Sequence, residues 1–199
     1  SLGKLQIFGF TRSRAMRTLW LAEELGLDYE HRLTDEDGLD YLAINPSGKV
    51  PAIADDGLVL TESMAINFYL VKKHGGDLAP RDLAEEAKML QWTFWAMTEV
   101  EAKALMIMFC RVLRPEEERD EAAADTGEAD LQKPLALLNE ALAGRDYLVA
   151  DRFTVADLNV SAVMSWLKLG RVDLSRYANL TAWMERCLKR PAMVNLLKS

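Results

Sequence analysis

Between Asn45 and Ser63 the chain carries residue types suited to holding a small charged peptide. The run reads Asn45-Pro46-Ser47-Gly48-Lys49-Val50-Pro51-Ala52-Ile53, then Leu58-Val59-Leu60-Thr61-Glu62-Ser63. Its order predicts a turn, a short strand, an Asp-Asp-Gly connection, a second short strand and a helix start. Pro51 stands directly before an apolar pair, where a central strand poorly tolerates a residue without a backbone donor. A cis Val50–Pro51 bond at the strand entrance resolves this. It leaves the Val50 N–H and C=O free to pair with a ligand as an added strand would. Thr61-Glu62-Ser63 then opens a helix, whose unpaired N–H groups favour carboxylates and phosphates. A backbone strip beside an anion-binding helix start suits a peptide with a free carboxylate. The plain alternative is an ordinary β-hairpin running into a helix.

The elements that must position these groups can be read from pattern. Lys4 to Phe8 alternates into an apolar run and reads as a strand. After Gly9-Phe10, Thr11-Arg12-Ser13 can cap a helix that runs through Leu25 and stops at Gly26. Tyr29 to Leu33 fits a second strand, Asp35 to Gly38 a loop, and Leu39 to Ile44 at most a short helix. Met64 to Val71 fills a helix ending at Gly75-Gly76. The pattern says α/β with a mixed sheet. Asp77 to Asp82, with Pro80, is the best linker, and all that follows reads as helical. Leu83 to Cys110 is one amphipathic segment with Leu90, Phe94, Met97, Val100, Ala104 and Ile107 on a stripe. Pro115 to Asp130 holds eight acidic residues against Arg119 alone, as a solvated helix face or loop does. Leu131, Leu135, Leu138 and Leu142 form the next stripe, with Pro134 kinking it or lying in its first turn. Phe153-Thr154-Val155-Ala156-Asp157-Leu158 spells a capping box with a hydrophobic staple, a structural device.

Totals bound the function. The 199 residues suffice for one large domain or two small ones. Half are hydrophobic and 28% charged, as in soluble globular proteins. A net charge of −7 argues against general affinity for nucleic acid or anionic membranes. No apolar run approaches the ~20 residues needed to span a bilayer. Ser1-Leu2-Gly3-Lys4 leads straight into a strand, so no secretion signal is expected. Cys110 and Cys187 fall in helical apolar patterns and read as buried free thiols of a reducing, cytoplasmic compartment. His31 and His74 offer no metal cluster.

The segment Asn-Pro-x-Gly-Lys-Val-Pro-Ala, followed by Glu62-Ser63, resembles the glutathione-binding segment of the glutathione S-transferase family, with its cis-proline loop and Glu/Gln-Ser pair. The box at 153–158 also resembles that family's capping motif. Tyr147-Leu148, Ala182-Trp183-Met184 and Arg190-Pro191 fit the same pattern, so the resemblance spans roughly residues 4–195. It implies a thioredoxin-like α/β N-terminal domain (βαβ-α-ββα) over 1–76, a linker over 77–82 and an all-α C-terminal domain over 83–199. It also implies a bacterial-type enzyme with a Ser/Thr active-site loop and no N-terminal cysteine. Glutathione would be the co-substrate, without a metal, and the enzyme a detoxifying homodimer that binds neither nucleic acid nor membrane.

Conjugation needs the glutathione thiolate, which a hydroxyl donor, positive charge and a helix N-terminus favour. The Phe10–Arg17 loop holds Thr11, Arg12, Ser13, Arg14 and Arg17. By resemblance the thiol-activating role falls on Ser13, with Thr11 as alternative and Arg12 and Arg14 adding positive field. Ser13 as a plain helix cap remains a rival. The resemblance further implies that Val50, beside Pro51, pairs with the cysteinyl backbone. Ser63 takes the γ-glutamyl carboxylate and Glu62 its amine. Lys49 meets the glycyl carboxylate or is simply solvated. Phe10 and the long helix should line an electrophile pocket through Phe94, Met97, Glu101 and Met108, although Met and Phe on a stripe also suit a core. The implied activity is transfer of glutathione to a small apolar electrophile. Alternatives are an interaction or regulatory module of the same fold and a glutathione-dependent isomerase or peroxidase. A disulfide reductase is disfavoured because no cysteine precedes Cys110.

Overall fold

Four short strands, β1 (Leu5–Phe8), β2 (Tyr29–Arg32), β3 (Ala52–Asp55) and β4 (Leu58–Thr61), form one mixed sheet in the order β2-β1-β3-β4. The computed structural model describes residues 3–199; the sequence reading of Ser1 and Leu2 as part of a leaderless start lies outside the described residues. β1 pairs parallel with β2, Ile7 opposite His31, and antiparallel with β3, Ile7 opposite Ile53. The parallel pair requires a crossover, which α1 (Ala15–Glu24) supplies. Eight of the ten α1 residues are buried, and Leu27 N–H closes onto Ala22 C=O at 3.0 Å around Gly26 at φ 63°. That is the glycine stop expected from sequence. Helix α3 (Ser63–His74) packs on α1, while α2 (Tyr41–Ile44) sets Tyr41 against Phe8, their ring centroids 5.8 Å apart. The order β-α-β-α-β-β-α is the thioredoxin-like arrangement.

The chain parts into two compact units: residues up to Ala79 together with Arg190–Ser199, and Pro80–Lys189. The sequence-based domains, 1–76, 77–82 and 83–199, therefore need one correction. The last helix, assigned to the all-α domain, belongs to the first unit. Its hydrophobic face buries Met193 and Leu196, and Arg190 at its start makes a bidentate pair with Glu24 of α1 at 2.7 and 3.1 Å. An amphipathic helix reads alike whichever layer it covers, so pattern could not assign it.

The second unit is helical: α4 (Leu83–Trp95), a π-turn (Ala96–Val100), α5 (Glu101–Met108), a second π-turn (Phe109–Leu113), α6 (Glu121–Ala141), α7 (Val155–Leu169) and α8 (Ala178–Leu188). The helix closing the chain is α9 (Pro191–Lys198). Among the described residues no helix is long and apolar enough to cross a membrane. The buried stripe of α4 and α5 is Met89, Thr93, Ala96, Val100, Ala104 and Ile107. Thus Leu90, Phe94 and Met97 lie one step round the helix from the position expected of them, and Phe94 is 64% exposed. Hydrophobicity misled because the true stripe includes a polar residue, Thr93, which accepts from Asn159 Nδ2 at 3.3 Å. Pro134 lies well inside α6, not in its first turn.

The acidic stretch is a solvated face as expected, and part of it also holds a cation. Glu121, Asp125 and Glu128, spaced along one side of α6, converge on Arg111, which is 5% exposed, at 2.9, 2.9 and 2.7 Å. Arg111 also donates to the carbonyls of Gly170 and Arg171. A buried guanidinium needs this many acceptors.

Asp157, at the start of the nearly all-buried α7, closes the capping box with Thr154 as expected. Its carboxylate does more: Oδ1 accepts from Leu148 N–H at 2.9 Å and Trp183 Nε1 at 2.8 Å, and Oδ2 from Thr154 N–H at 3.0 Å. Burial pushes its carboxyl upward while these donors favour the anion. One side chain thus ties the loop before α7, the start of α7 and α8. Asp157→Ala strands three buried donors, each costing ~1–3 kcal/mol. We expect a stability loss of about 3 kcal/mol or more, read as a lowered Tm, with the catalytic constants of the folded fraction unchanged. A steady Tm with collapsed turnover would make Asp157 a functional residue instead.

A second pin is titratable. Glu85 in the first turn of α4 takes both Arg152 nitrogens, at 2.7 and 3.1 Å, and the Arg81 N–H at 3.0 Å. Arg152 first, then the Arg81 amide, hold its carboxyl down at about 2. A depressed native pKa gives stability that is full above the unfolded value and is lost as pH falls through the native one. The window here runs from roughly pH 4.5 to 2. Discounted for its partly exposed setting, the pair is worth about 1 kcal/mol. Glu85→Gln should lose that amount at neutral pH and show a flatter acid-stability curve in the window, checked by denaturant titrations at successive pH values.

Candidate functional site

The turn at residues 45–51 is built around the buried Asn45. Its Oδ1 accepts from Ser47 N–H at 3.1 Å and Ser47 Oγ at 2.9 Å, and its Nδ2 donates to Lys49 C=O at 2.8 Å. Tyr41 O–H donates to the same carbonyl at 2.5 Å. With its carbonyl held twice, Lys49 delivers Val50 into the cis Val50–Pro51 bond, just before β3. No hydrogen bond joins the Val50 N–H or C=O to another described residue. Both groups of the expected strip are therefore available. The Lys49 side chain is exposed and also without a described partner.

Gly9 locks this loop to α1. At φ 131° it occupies backbone space closed to most side chains, and a Cβ there would stand 2.7 Å from Ala15 Cβ and 2.9 Å from Val50 Cβ. Only a bare α-carbon lets the cis-proline loop and the first turn of α1 approach this closely. The Gly9 N–H donates to Arg32 C=O at 2.9 Å.

At the start of α3, Glu62 has φ 71° and ψ 108°, a strained backbone for a residue with a Cβ. Its carboxylate is exposed, whereas Ser63 is 5% exposed at the first helical position. Arg17, grouped from sequence with the cations near the sulfur, is fully buried, and its Nη1 donates to Ser63 Oγ at 3.2 Å. Thr18 Oγ1 donates to Asn67 Oδ1 at 3.0 Å, and Asn67 Nδ2 to Arg17 C=O at 3.3 Å, so a polar seam fixes α1 against α3. The first turns of α1 thus meet both half-sites: Ala15 beside Val50, Arg17 on Ser63.

In the loop before α1, Ser13 Oγ donates to Phe10 C=O at 2.6 Å and accepts from Ala15 N–H at 3.1 Å. Its hydroxyl is engaged locally, as a helix cap would be. The Thr11 hydroxyl has no described partner, and Arg12 is exposed. Phe10 is 56% exposed on the first unit. On the second, Phe94 is exposed, Met97 half-buried, and Glu101 and Met108 buried.

Sequence reasoning missed Gly9, Tyr41 and Asn45 as positioning residues and the partner of Arg17. Asn45 alone carried a signal, since an Asn-Pro pair marks a turn whose side chain bonds its own backbone. A close approach between distant segments, as at Gly9, leaves none.

Known proteins match this architecture. The family model described as glutathione S-transferase, N-terminal domain, matches residues 3–72, and that for the C-terminal domain residues 100–191. Glutathione S-transferase GstA of Escherichia coli O157:H7 is 33% identical over 167 residues, covering 82% of this chain and 80% of its own. GstB of Escherichia coli strain K12 is 32% identical over 185 residues, 89% of each chain. The theta class glutathione S-transferase from the citrus canker pathogen Xanthomonas axonopodis pv. citri, solved with glutathione bound, superposes with a TM-score of 0.86 at 30% identity over 98% of each chain. By motif, fold and these matches together, the chain belongs to the glutathione S-transferase family.

Proposed function

We propose that this protein is a glutathione transferase that joins the glutathione sulfur to a small apolar electrophile. The observation that carries the reading is the unpaired Val50 backbone beside cis-Pro51, braced on the same helix α1 that holds Ser63. The Val50 N–H and C=O take the cysteinyl backbone in antiparallel pairing. Ser63, through its hydroxyl and the N–H groups of the α3 start, takes the γ-glutamyl carboxylate, and the exposed Glu62 carboxylate takes the neighbouring amine. Lys49 is the cation in reach of solvent for the glycyl carboxylate.

Ser13 is the proposed donor to the sulfur, with Arg12 adding positive field. Its hydroxyl donates to Phe10 C=O. Rotation about Cβ–Oγ moves that proton to a thiolate while the oxygen keeps the Ala15 N–H. The exchange gives up a neutral hydrogen bond worth ~1 kcal/mol for one to an anion worth ~1.5–3 kcal/mol. The Phe10 carbonyl, at an exposed site, finds water instead. The thiolate then attacks the electrophilic carbon, forming the C–S bond as the leaving group departs with its electron pair. Phe10, more than half exposed on the first unit, offers apolar surface for the electrophile.

Retention on immobilised glutathione, followed by turnover of an activated aromatic halide, tests the function. Retention without turnover would favour the interaction-module reading. The thiolate absorbance of the complex, titrated against pH, tests the donor. Ser13→Ala should raise the pKa of bound glutathione and slow conjugation at neutral pH by about tenfold, with binding nearly unchanged. A shift seen only in Thr11→Ala would transfer the role to Thr11.

A further inference from the structure

In the second unit a cleft of about 580 Å³ opens between the start of α4 and the loop before α7. Arg81 and Glu85 line it from α4, and Arg145 with residues 149–152 from the loop. Its lining sets three arginines against two carboxylates, a positive spot on a chain of net charge −7. Only Val149 and Ala150 are apolar, so the cleft offers little to an apolar ligand. Glu85 is already taken up by Arg152 and by the Arg81 N–H. The Arg145 guanidinium is exposed and makes no hydrogen bond or ion pair with another described residue. Asp157 fixes the loop on both sides, accepting from Leu148 N–H at 2.9 Å and from Thr154 N–H at 3.0 Å. Between these points the N–H groups of Val149, Ala150 and Asp151 donate to no described residue, although Val149 and Ala150 are half-buried. Backbone donors withdrawn from water are normally paired. Three in succession, on a loop held at both ends and beside a guanidinium, are donors set in place for an anion.

We propose that this cleft is a binding site for a phosphate group, carried by inorganic phosphate or by a small phosphate monoester. The Arg145 guanidinium presents a planar fork of N–H groups to two phosphate oxygens. The backbone N–H groups of Val149, Ala150 and Asp151 serve the oxygen that remains. A group with three terminal oxygens and close to two negative charges uses both sets of donors, whereas a carboxylate, with two oxygens and one charge, uses only part. Glu85 keeps its hold on Arg152 throughout. A phosphate seated here braces the loop against the start of α4, so occupancy stabilises the second unit by mass action. No residue of the lining takes part in the glutathione-binding reading above, and the site does not depend on it.

The test is calorimetric titration of the full chain, near neutral pH and at constant ionic strength, with inorganic phosphate, glycerol 3-phosphate and glycerol. Both phosphates should bind saturably at one site per chain, and glycerol should not bind. Tighter binding of glycerol 3-phosphate assigns the site to an ester, and equal or weaker binding assigns it to phosphate itself. No saturable binding of either phosphate would overturn the proposal. Arg145→Gln should weaken phosphate binding about tenfold or more, as loss of a charge-assisted bond implies. Arg145→Lys keeps the charge without the fork and should lose less. Since Arg145 is exposed, neither change should move the Tm of the protein without phosphate. Lys133→Gln removes the same charge from an exposed position on α6 outside the lining, and should leave the affinity within about twofold. An equal loss in the Lys133 and Arg145 variants would reduce the effect to overall charge and overturn the site. Ser63→Ala examines the start of α3 as a rival place for the anion. A loss there, with Arg145→Gln unaffected, would move the phosphate to the first unit and overturn the assignment. No arm uses glutathione, so this proposal and the transferase reading fail independently.

Discussion

Residue 9 must lack a side chain. A methyl group there would collide with Ala15 on one side and Val50 on the other, and both neighbours are held from behind. Ala15 starts a helix that is buried along nearly its whole length, and Val50 follows a carbonyl fixed by Tyr41 and Asn45. The neighbours have no room to yield, so added volume would have to displace a loop or a helix. The close contact at Gly9 places the unpaired backbone of Val50 beside the loop that carries Ser13. The thiol chemistry proposed for this family member depends on that adjacency more than on any one polar group.

Three buried charges show how differently the same cost can be used. Arg111 draws in Glu121, Asp125 and Glu128 and fastens α6 to the carbonyls after α7. Asp157 gathers backbone and indole donors from three segments. Both are surrounded by complementary groups and serve the architecture of the second unit. Arg17, in the first unit, donates to the neutral hydroxyl of Ser63 at a helix start.

Legibility in the sequence followed the range of the interaction. The succession of elements in the first unit, the glycine stop after α1, the cis-proline loop and the Thr154–Asp157 box are local patterns, and they read correctly from residue types a few positions apart. What failed depended on neighbours far along the chain. The face of α4 was misplaced because Thr93 is buried through Asn159, 66 residues on. The acidic run is solvated as expected, but its hold on Arg111 was hidden because that cation precedes it in a stretch that reads as apolar helix. Helix α9 was assigned to its sequence neighbours, although Glu24 lies 166 residues before its partner Arg190. In the candidate site, Val50, Glu62 and Ser63 were visible as a motif, while the dependence of Ser63 on Arg17 was not.

The same site gathers two costly features: backbone groups at Val50 without intramolecular partners, and Glu62 held at positive φ. A left-handed residue with a Cβ costs ~1–2 kcal/mol, and each exposed backbone pair forgoes a bond that folding elsewhere secures. Such costs persist only where surrounding structure overdetermines them, and here β3, β4 and the α1–α3 seam do so. A peptide that pairs with Val50 and anchors at the α3 start satisfies these groups without requiring rearrangement of the scaffold. Its binding energy is then spent little on ordering, and it adds to the stability of the first unit through mass action. The hydrogen-bonding capacity at Val50 thus has a physical account as one half of an interaction whose other half is the proposed tripeptide.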